Sequence, residues 1–564
     1  MYDLLIRNGT IVDGSGRPGY RANIAVQDGH IAAIGQVSSG AQKELDADGH
    51  VVTPGFIDGH THLDAQMFWD PLGSPSCWQG VTTAVTGNCG FTLAPCSELK
   101  RALVLRSLER AEDISGAAME AGIKWRWTTF PEYLDVVDTL PKGINYAANV
   151  GHSALRTFAM GEAAFDREAN EDELALMRRE LNDALSAGAI GLTTSRGEGH
   201  NTSDDRPVPS RLASWDEVRR LVMEMGIHKQ RLFELATPNV ARFGELGARR
   251  QFHDGLLDLA VASGVTITWG MLPLPQITAE ELPLLERAAA SGGKLVGQSH
   301  SRGISLLYSF LTNTPYDWLL EWKEVRALPL PQQLLALQDV GTRGRLVEAA
   351  KRAVFPKPTG GDSPRPPDFS QLTVWQNALP PNPTVQEMAA ARGVHPIELL
   401  IHLAVETNMQ QFFMLPGMAW STDELLRTMR HPHCVMTFSD AGAHVTQQDC
   451  SIQTHLLGYW VRQMQEFTLE DAVRMITLAP AQAWSFHDRG LLREGMVADI
   501  NVFDPARIAP GLPVLRHDLP TGAKRLESKA AGILATIVAG EILIQNGNHT
   551  GSLPGRLLRR RGVN

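Results

Sequence analysis

Val52-Thr53-Pro54-Gly55-Phe56-Ile57-Asp58-Gly59-His60-Thr61-His62-Leu63-Asp64 is the stretch on which the reading of this chain turns. Residues 55–60 form an apolar run with strand character, and the run ends in two histidines one residue apart. On an extended segment, side chains at i and i+2 point the same way, so His60 and His62 can hold one cation between them. Taken alone, a His-x-His pair is equally what two packed histidines look like. Its setting along the chain decides between them.

Seven further short apolar runs follow: 80–87, 144–150, 189–194, 230–236, 265–271, 294–298 and 434–439. Helical patterns separate most of them. The clearest runs from Glu173 to Ala187, where Leu174, Met177, Leu181 and Leu185 recur at helical spacing. Asn170 with Glu173 resembles a capping box, and Gly188 suits the position just past the helix. Strand–helix alternation implies parallel pairing, and eight units predict a closed α/β barrel, (β/α)8, of the TIM type. A doubly wound open sheet is the alternative. The eighth run starts more than 130 residues after the seventh, so an insertion occupies about 305–430. It carries Trp318, Trp322, Trp375 and the Pro-rich stretch Pro356 to Pro367, and reads as an ordered loop or lid, the alternative for the Pro-rich part being a disordered linker.

The two ends have a different texture. Residues 1–54 read as short strands with turns at Asn8-Gly9, Asp13-Gly14 and Asp28-Gly29, which tolerate positive φ. Similar runs return at 498–503 and 533–544. The division expected is therefore a small β-sandwich assembled from 1–54 and 486–564, around a barrel at 55–485.

In such a barrel the reactive groups sit where strands end. The eighth run ends in Ser439-Asp440-Ala441-Gly442-Ala443-His444. First and eighth strands are neighbours in a closed barrel, so Asp440 can reach a cation held by His60 and His62. The second run ends in Gly87-Asn88-Cys89-Gly90, and a Cys89 thiolate would suit zinc; the alternative for Cys89 is a small core residue. Manganese or cobalt are the other candidate ions.

Bulk properties agree with a soluble enzyme. The chain has 564 residues, 43% apolar and 20% charged, with a net charge of −10, which excludes the basic footprint of a nucleic-acid partner. No run reaches the roughly 20 apolar residues of a membrane span. The N-terminus lacks a signal-peptide pattern, and five cysteines do not make a disulfide framework, so a cytoplasmic location is expected. Arg556, Arg559, Arg560 and Arg561 read as a solvated basic tail. A small-molecule substrate is the expected partner, and assembly into a homo-oligomer is left open.

With these residues in view, the stretch from Val52 through Asp64-Ala65-Gln66 resembles the metal motif of the amidohydrolase superfamily, in its D-aminoacylase (N-acyl-D-amino-acid deacylase) branch. Gly80-Val81-Thr82-Thr83, Gly87-Asn88-Cys89-Gly90, Gly151-His152-Ser153-Ala154-Leu155-Arg156, Ser439 to His444 and His549 to Arg556 are similar to that branch too. The resemblance implies a β-sandwich from both ends, a zinc-bearing barrel, Cys89 as a ligand, Asp440 as ligand and general base, and hydrolysis of an N-acyl bond. The chain departs from the branch on the fifth and sixth strands. Phe233-Glu234 and Thr268-Trp269 stand where that branch places metal histidines, and the lysine that follows the sixth-strand histidine is missing. One ion is therefore expected, with Glu234 as ligand or acceptor; a second ion would need Glu234 with His152, or His300 from the seventh strand.

Around that centre, His152 can stabilise the oxyanion, the alternative being a packed histidine. Arg196 and Arg302, with His300, are the candidate substrate-binding groups, since arginine pairs bidentately with an acid; the alternative for each arginine is a surface ion pair. The reaction expected is hydrolysis of an N-acyl amino acid or related small amide. A lactone, cyclic imide or C–C bond on the same scaffold is the alternative.

Overall fold

The computed structural model describes residues 1–564 apart from 112, 229–230, 357–363, 417–420, 443, 445–449 and 561–564. Gln230 of the fifth run, part of the Pro-rich stretch, Ala443 and Arg561 thus lie outside the described residues.

All eight apolar runs are strands. The first is Phe56–Asp58, resumed after Gly59 as His60–His62; the second is Val81–Thr86. The third is Asn145–Ala148, resumed as Val150–Gly151, and the fourth is Gly191–Ser195. Leu232–Ala236, Thr266–Gly270 and Lys294–Ser299 follow, and the eighth is Cys434–Met436, resumed as Phe438–Gly442. Every ladder between successive strands is parallel, from Phe56↔Val81 through Leu192↔Phe233's neighbour pairings to Gly297↔Cys434. The second half of the eighth strand then pairs back onto the first, Phe438↔His60 and Gly442↔His62. The succession of ladders thus ends on the chain segment where it began.

Helices between the strands bury their apolar stripes on this sheet, Leu181, Leu221, Leu256 and Leu285 sharing one core with Leu192, Phe233, Ile267 and Leu295. The expected helix is Glu171–Ala187. The Asn170 side chain accepts from the Glu173 amide at 2.9 Å, Glu173 accepts from the Asn170 amide at 2.8 Å, and Gly188 is left-handed at φ 119°. A cap of this kind contributes about 1 kcal/mol.

The chain ends meet in one nine-stranded sheet. Val51–Pro54 lies antiparallel to Ile500–Phe503, with Tyr2–Ile11 on one side and Ile533–Val538 on the other. Ile6, Ile24, Val52, Ile500 and Ile537 form its core. Asp28-Gly29 is a hairpin turn as expected. Asn8-Gly9 is not: Tyr2–Ile11 is a single strand, and the positive φ of Asn8 (62°) sits at a register shift between Ile6 and Gly9. A left-handed residue serves a bulge as well as a turn.

The basic tail does not hang free, although Arg556 itself is exposed. It lies along the third strand, with Tyr146 N–H donating to the Arg556 carbonyl at 2.9 Å and Leu558 N–H to the Tyr146 carbonyl at 2.7 Å. A side chain at Gly555 would meet the Ile144 carbonyl at 2.1 Å, so only glycine permits this approach. Arg559 pairs with Asp135 at 2.7 Å.

The insertion is more than a loop. Ser305–Tyr308, Thr373–Trp375 and Phe412–Pro416 form a three-stranded antiparallel sheet, packed with helices such as Leu330–Gln338, Val340–Lys351 and Pro396–Glu406 around a separate apolar core.

Candidate active site

The first and eighth strands bring His60, His62 and Asp440 together across their shared ladder. His62 Nε2 lies 2.8 Å and His60 Nε2 3.5 Å from Asp440 Oδ1. Cys89 Sγ is 3.4 Å from His60 Nε2. Donor atoms of His60, His62 and Cys89 all fall within 4.8 Å of one another, and all three residues are buried.

Local backbone puts them there. Cys89 (φ 53°) and Asp440 (φ 54°) both adopt the left-handed region, which costs a non-glycine residue about 1–3 kcal/mol. Two devices hold that strain. The Cys89 amide donates to Glu234 Oε2 at 2.8 Å, and a register shift between Phe438 and Ala441 turns Asp440 inward. Gln298 Oε1 accepts from His60 Nδ1 at 2.8 Å, which leaves the His60 Nε2 lone pair facing the cluster.

Electrostatics suit a cation. Burial opposes ionisation of Asp440, but His62 and His60 outweigh it and hold the carboxyl well below its usual range. Burial lowers His60 to about 4, so its imidazole is neutral and able to ligate. Burial and the Glu234 carboxylate push the Cys89 thiol up, a penalty that a bound cation relieves. Glu234 itself is raised to about 8 by burial, and its Oε1 has no hydrogen-bond partner.

The cluster opens into a cavity of about 790 Å³. Leu306, Tyr308, Pro315 and Trp318 of the insertion line it, so the insertion stands over the strand ends. Trp322 does not; it is buried in the insertion's own core, its indole donating to the Leu346 carbonyl at 3.0 Å.

Four residues selected from the sequence are not among those lining this cavity. His152 is held at both ring nitrogens, by Thr194 Oγ1 at 2.9 Å and Glu217 Oε1 at 2.8 Å, with Arg156 on the same carboxylate. Arg196 donates to the Ala213 carbonyl. His300 accepts from the Gly303 amide at 2.8 Å, and Arg302 donates to Ser451 Oγ at 3.1 Å beside Trp375, in a separate cavity of about 210 Å³.

Sequence reasoning missed His200, Arg242, Phe438 and Gln298. The first three line the cavity with the cluster, and Gln298 holds His60. His200 and Arg242 sit in segments beyond the fourth and fifth strands, five and six positions past the strand ends, where only the loop path decides direction. Gln298 closes the seventh apolar run, and nothing in its local sequence marks it as the partner of His60.

These features define an α/β scaffold with a buried His–Cys–carboxylate cluster at its strand ends. The chain belongs to the amidohydrolase family, whose sequence pattern matches residues 43–222 and 322–544. It is 29% identical to the D-aminoacylase of Alcaligenes xylosoxydans xylosoxydans, over 99% of this chain and 98% of that one. It is 27% identical to the N-acyl-D-glutamate deacylase of the same organism, over 99% and 96%. Among solved structures, a D-aminoacylase described as having a binuclear metal centre matches with a TM-score of 0.65 at 23% identity, over 99% of this chain and all of that one. The N-acyl-D-glutamate deacylase of Bordetella bronchiseptica, complexed with zinc and a phosphonate inhibitor, matches at 0.62 and 24%, with the same coverage. The resemblance of the motifs to the D-aminoacylase branch thus extends along the whole chain.

Proposed function

We propose that this protein is a metal-dependent hydrolase of the N-acyl bond of an N-acyl amino acid or related small amide, working with one zinc ion. The reading rests on one observation: His60, His62, Cys89 and Asp440 converge in a cavity large enough for such a substrate. Named relatives act on N-acyl-D-amino acids, which supports the same bond. On this reading the cycle of parallel ladders is a closed (β/α)8 barrel spanning 55–485, and the terminal sheet is one part of a β-sandwich from 1–54 and 486–564.

The donor set fits zinc: two imidazoles, a thiol and a carboxylate, with a second-sphere acceptor on His60. A bound divalent ion supplies acidification of water and polarisation of the scissile carbonyl. Asp440 accepts the proton of the attacking water and returns it to the leaving amine. Gln298 orients His60, Glu234 fixes the Cys89 turn, and the insertion excludes bulk water.

One ion is favoured over two for a packing reason. On the sixth strand Thr268 and Trp269 offer no ligand, and the Trp269 indole donates instead to Glu281 at 2.9 Å. At the next position a Cβ on Gly270 would lie 2.6 Å from the Phe438 ring, which itself packs edge-on to His60 at 4.5 Å between centroids. Phe438 therefore fills the space that a sixth-strand ligand would need. The test is a panel of N-acetyl D- and L-amino acids, aryl amides and lactones, assayed with and without zinc. Amide turnover that chelation abolishes is expected; turnover of lactones alone, or in metal-free protein, overturns the reading.

A further inference from the structure

His200 shares the cavity with the cluster, and the chemistry described so far makes no use of it. The fourth strand ends at Ser195, and the chain turns back at once, the His200 amide donating to the Gly197 carbonyl at 3.1 Å. Arg211 Nη1 donates to the His200 carbonyl at 3.1 Å, and the Phe91 ring lies edge-on to the imidazole at 5.4 Å between centroids. The half-buried ring thus lines the cavity with His60, His62, Cys89 and Asp440.

Its two nitrogens differ. Nδ1 lies 2.6 Å from the hydroxyl of Ser195, a fully buried residue, and that contact is the hydroxyl's one hydrogen bond among the described residues. A buried hydroxyl without an acceptor costs about 1–3 kcal/mol, so Ser195 donates its hydrogen and Nδ1 accepts it. The imidazole proton then sits on Nε2, which has no hydrogen-bond partner among the described residues. Burial, with His62 next, lowers the group to about 4, so the ring is neutral near pH 7. A neutral N–H donor suits a site that also holds a cation, where a second positive charge would be repelled.

Amide hydrolysis needs such a donor. As the oxygen of water bonds to the scissile carbonyl carbon, Asp440 takes one proton and the carbonyl electron pair moves onto its oxygen. Other ring nitrogens near the cluster are engaged: His60 Nδ1 donates to Gln298, and His444 Nε2 faces the Asp440 carbonyl at 2.9 Å. His152, expected in this role, is held at both nitrogens and does not line the cavity. We propose that His200 is a catalytic residue whose Nε2–H stabilises the oxyanion, with Ser195 fixing its tautomer. This inference rests on the amide-hydrolase reading. The electron pair returns as the C–N bond breaks and Asp440 delivers its proton to the amine, and His200 keeps its own proton throughout.

The experiment uses the zinc-loaded enzyme, the N-acetyl amino acid it turns over fastest, and the phosphonate that mimics that substrate's tetrahedral state. His200→Leu is expected to lower kcat roughly 100- to 1,000-fold, with KM within about threefold and zinc content unchanged. Binding of the phosphonate should weaken by a similar factor, and binding of the product amino acid by no more than about threefold. His200→Gln places an amide donor near the Nε2 position and should recover part of the loss, whereas His200→Glu offers only an acceptor and should recover none. A His200→Leu kcat within about threefold of wild type overturns the proposal, and so does equal weakening of phosphonate and product. If His200→Leu fails to fold, His200→Gln and His200→Glu decide, and equal phosphonate affinity in the two overturns it. Wild-type enzyme that turns over no amide would instead sink the amide-hydrolase reading.

Discussion

Two histidine–carboxylate pairs in this molecule have the same separation and opposite surroundings. His62 and Asp440 lie 2.8 Å apart, and so do His152 and Glu217. Around Glu217 the charges close: Arg156 shares the carboxylate, Thr194 takes the other ring nitrogen, and neither His152 nor Glu217 lines the cavity of the cluster. Around Asp440 they do not close. Its neighbours are imidazoles and a thiol, among the described residues no arginine or lysine pairs with it, and the cavity opens beside it. A strand-end histidine with both nitrogens occupied and a neutralising arginine builds structure. One in an array of unspent donors is equipped for chemistry.

The sharpest way to break the contrast is to remove metal. Exhaustive chelation is expected to reduce amide turnover to background, with zinc, manganese or cobalt restoring it, and close to one equivalent per chain measured by elemental analysis. Two tightly held equivalents would refute the role given to Phe438. Next in size, Asp440→Asn should keep the fold and lose at least about a hundredfold in kcat, because the amide cannot accept the proton of water. Retention of more than about a tenth would reduce Asp440 to a ligand or structural group.

The other pair should fail differently. Glu217→Ala leaves Arg156 buried without a counterion and is expected to cost about 3–5 kcal/mol, seen as a lower Tm, with metal content unchanged. A loss of metal without a loss of Tm would place Glu217 in the reacting centre after all. Acid supplies a gentler probe. Burial raises the Glu217 pKa, but His152 and Arg156 outweigh it and lower the group from 4.5 to about 2. A depressed carboxyl stabilises the fold fully above its unfolded pKa and loses that contribution as pH falls from about 4.5 to about 2. Wild-type Tm should therefore drop through that window more steeply than Tm of Glu217→Gln; parallel curves would contradict the assignment. The smallest effect is expected at the rim, where Trp318→Ala should raise KM roughly tenfold or less and spare kcat. An unchanged KM would show that the insertion merely covers the cavity.

Much of this could be read from the sequence, because period and punctuation carry it. The eight apolar runs, the Asn170–Glu173 cap and Gly188 are local features whose physics is complete within a few residues. His60, His62, Cys89 and Asp440 were legible because each ends a strand, and strand ends share one face. His152, Arg196, His300 and Arg302 also follow strand ends, yet their side chains find partners from elsewhere: Glu217 from a helix, Ser451 from a loop. Arg242 and His200 were illegible for the converse reason. They lie beyond the strands, and only the folded path of each loop returns them to the mouth. Asn8-Gly9 misled because a positive φ marks a bulge and a turn alike.

The terminal sheet has a consequence for how the protein is made. Val51–Pro54 leads directly into the strand that carries His60, yet its partner, Ile500–Phe503, leaves the ribosome nearly 450 residues later. At translation speeds this leaves the edge of a nascent sheet unpaired for roughly 20 to 90 s. An open edge of that kind invites pairing with another chain. The N-terminal strands are therefore obligate clients of whatever shields nascent chains, and a ribosome that stalls before codon 500 releases a polypeptide primed to aggregate rather than a smaller enzyme.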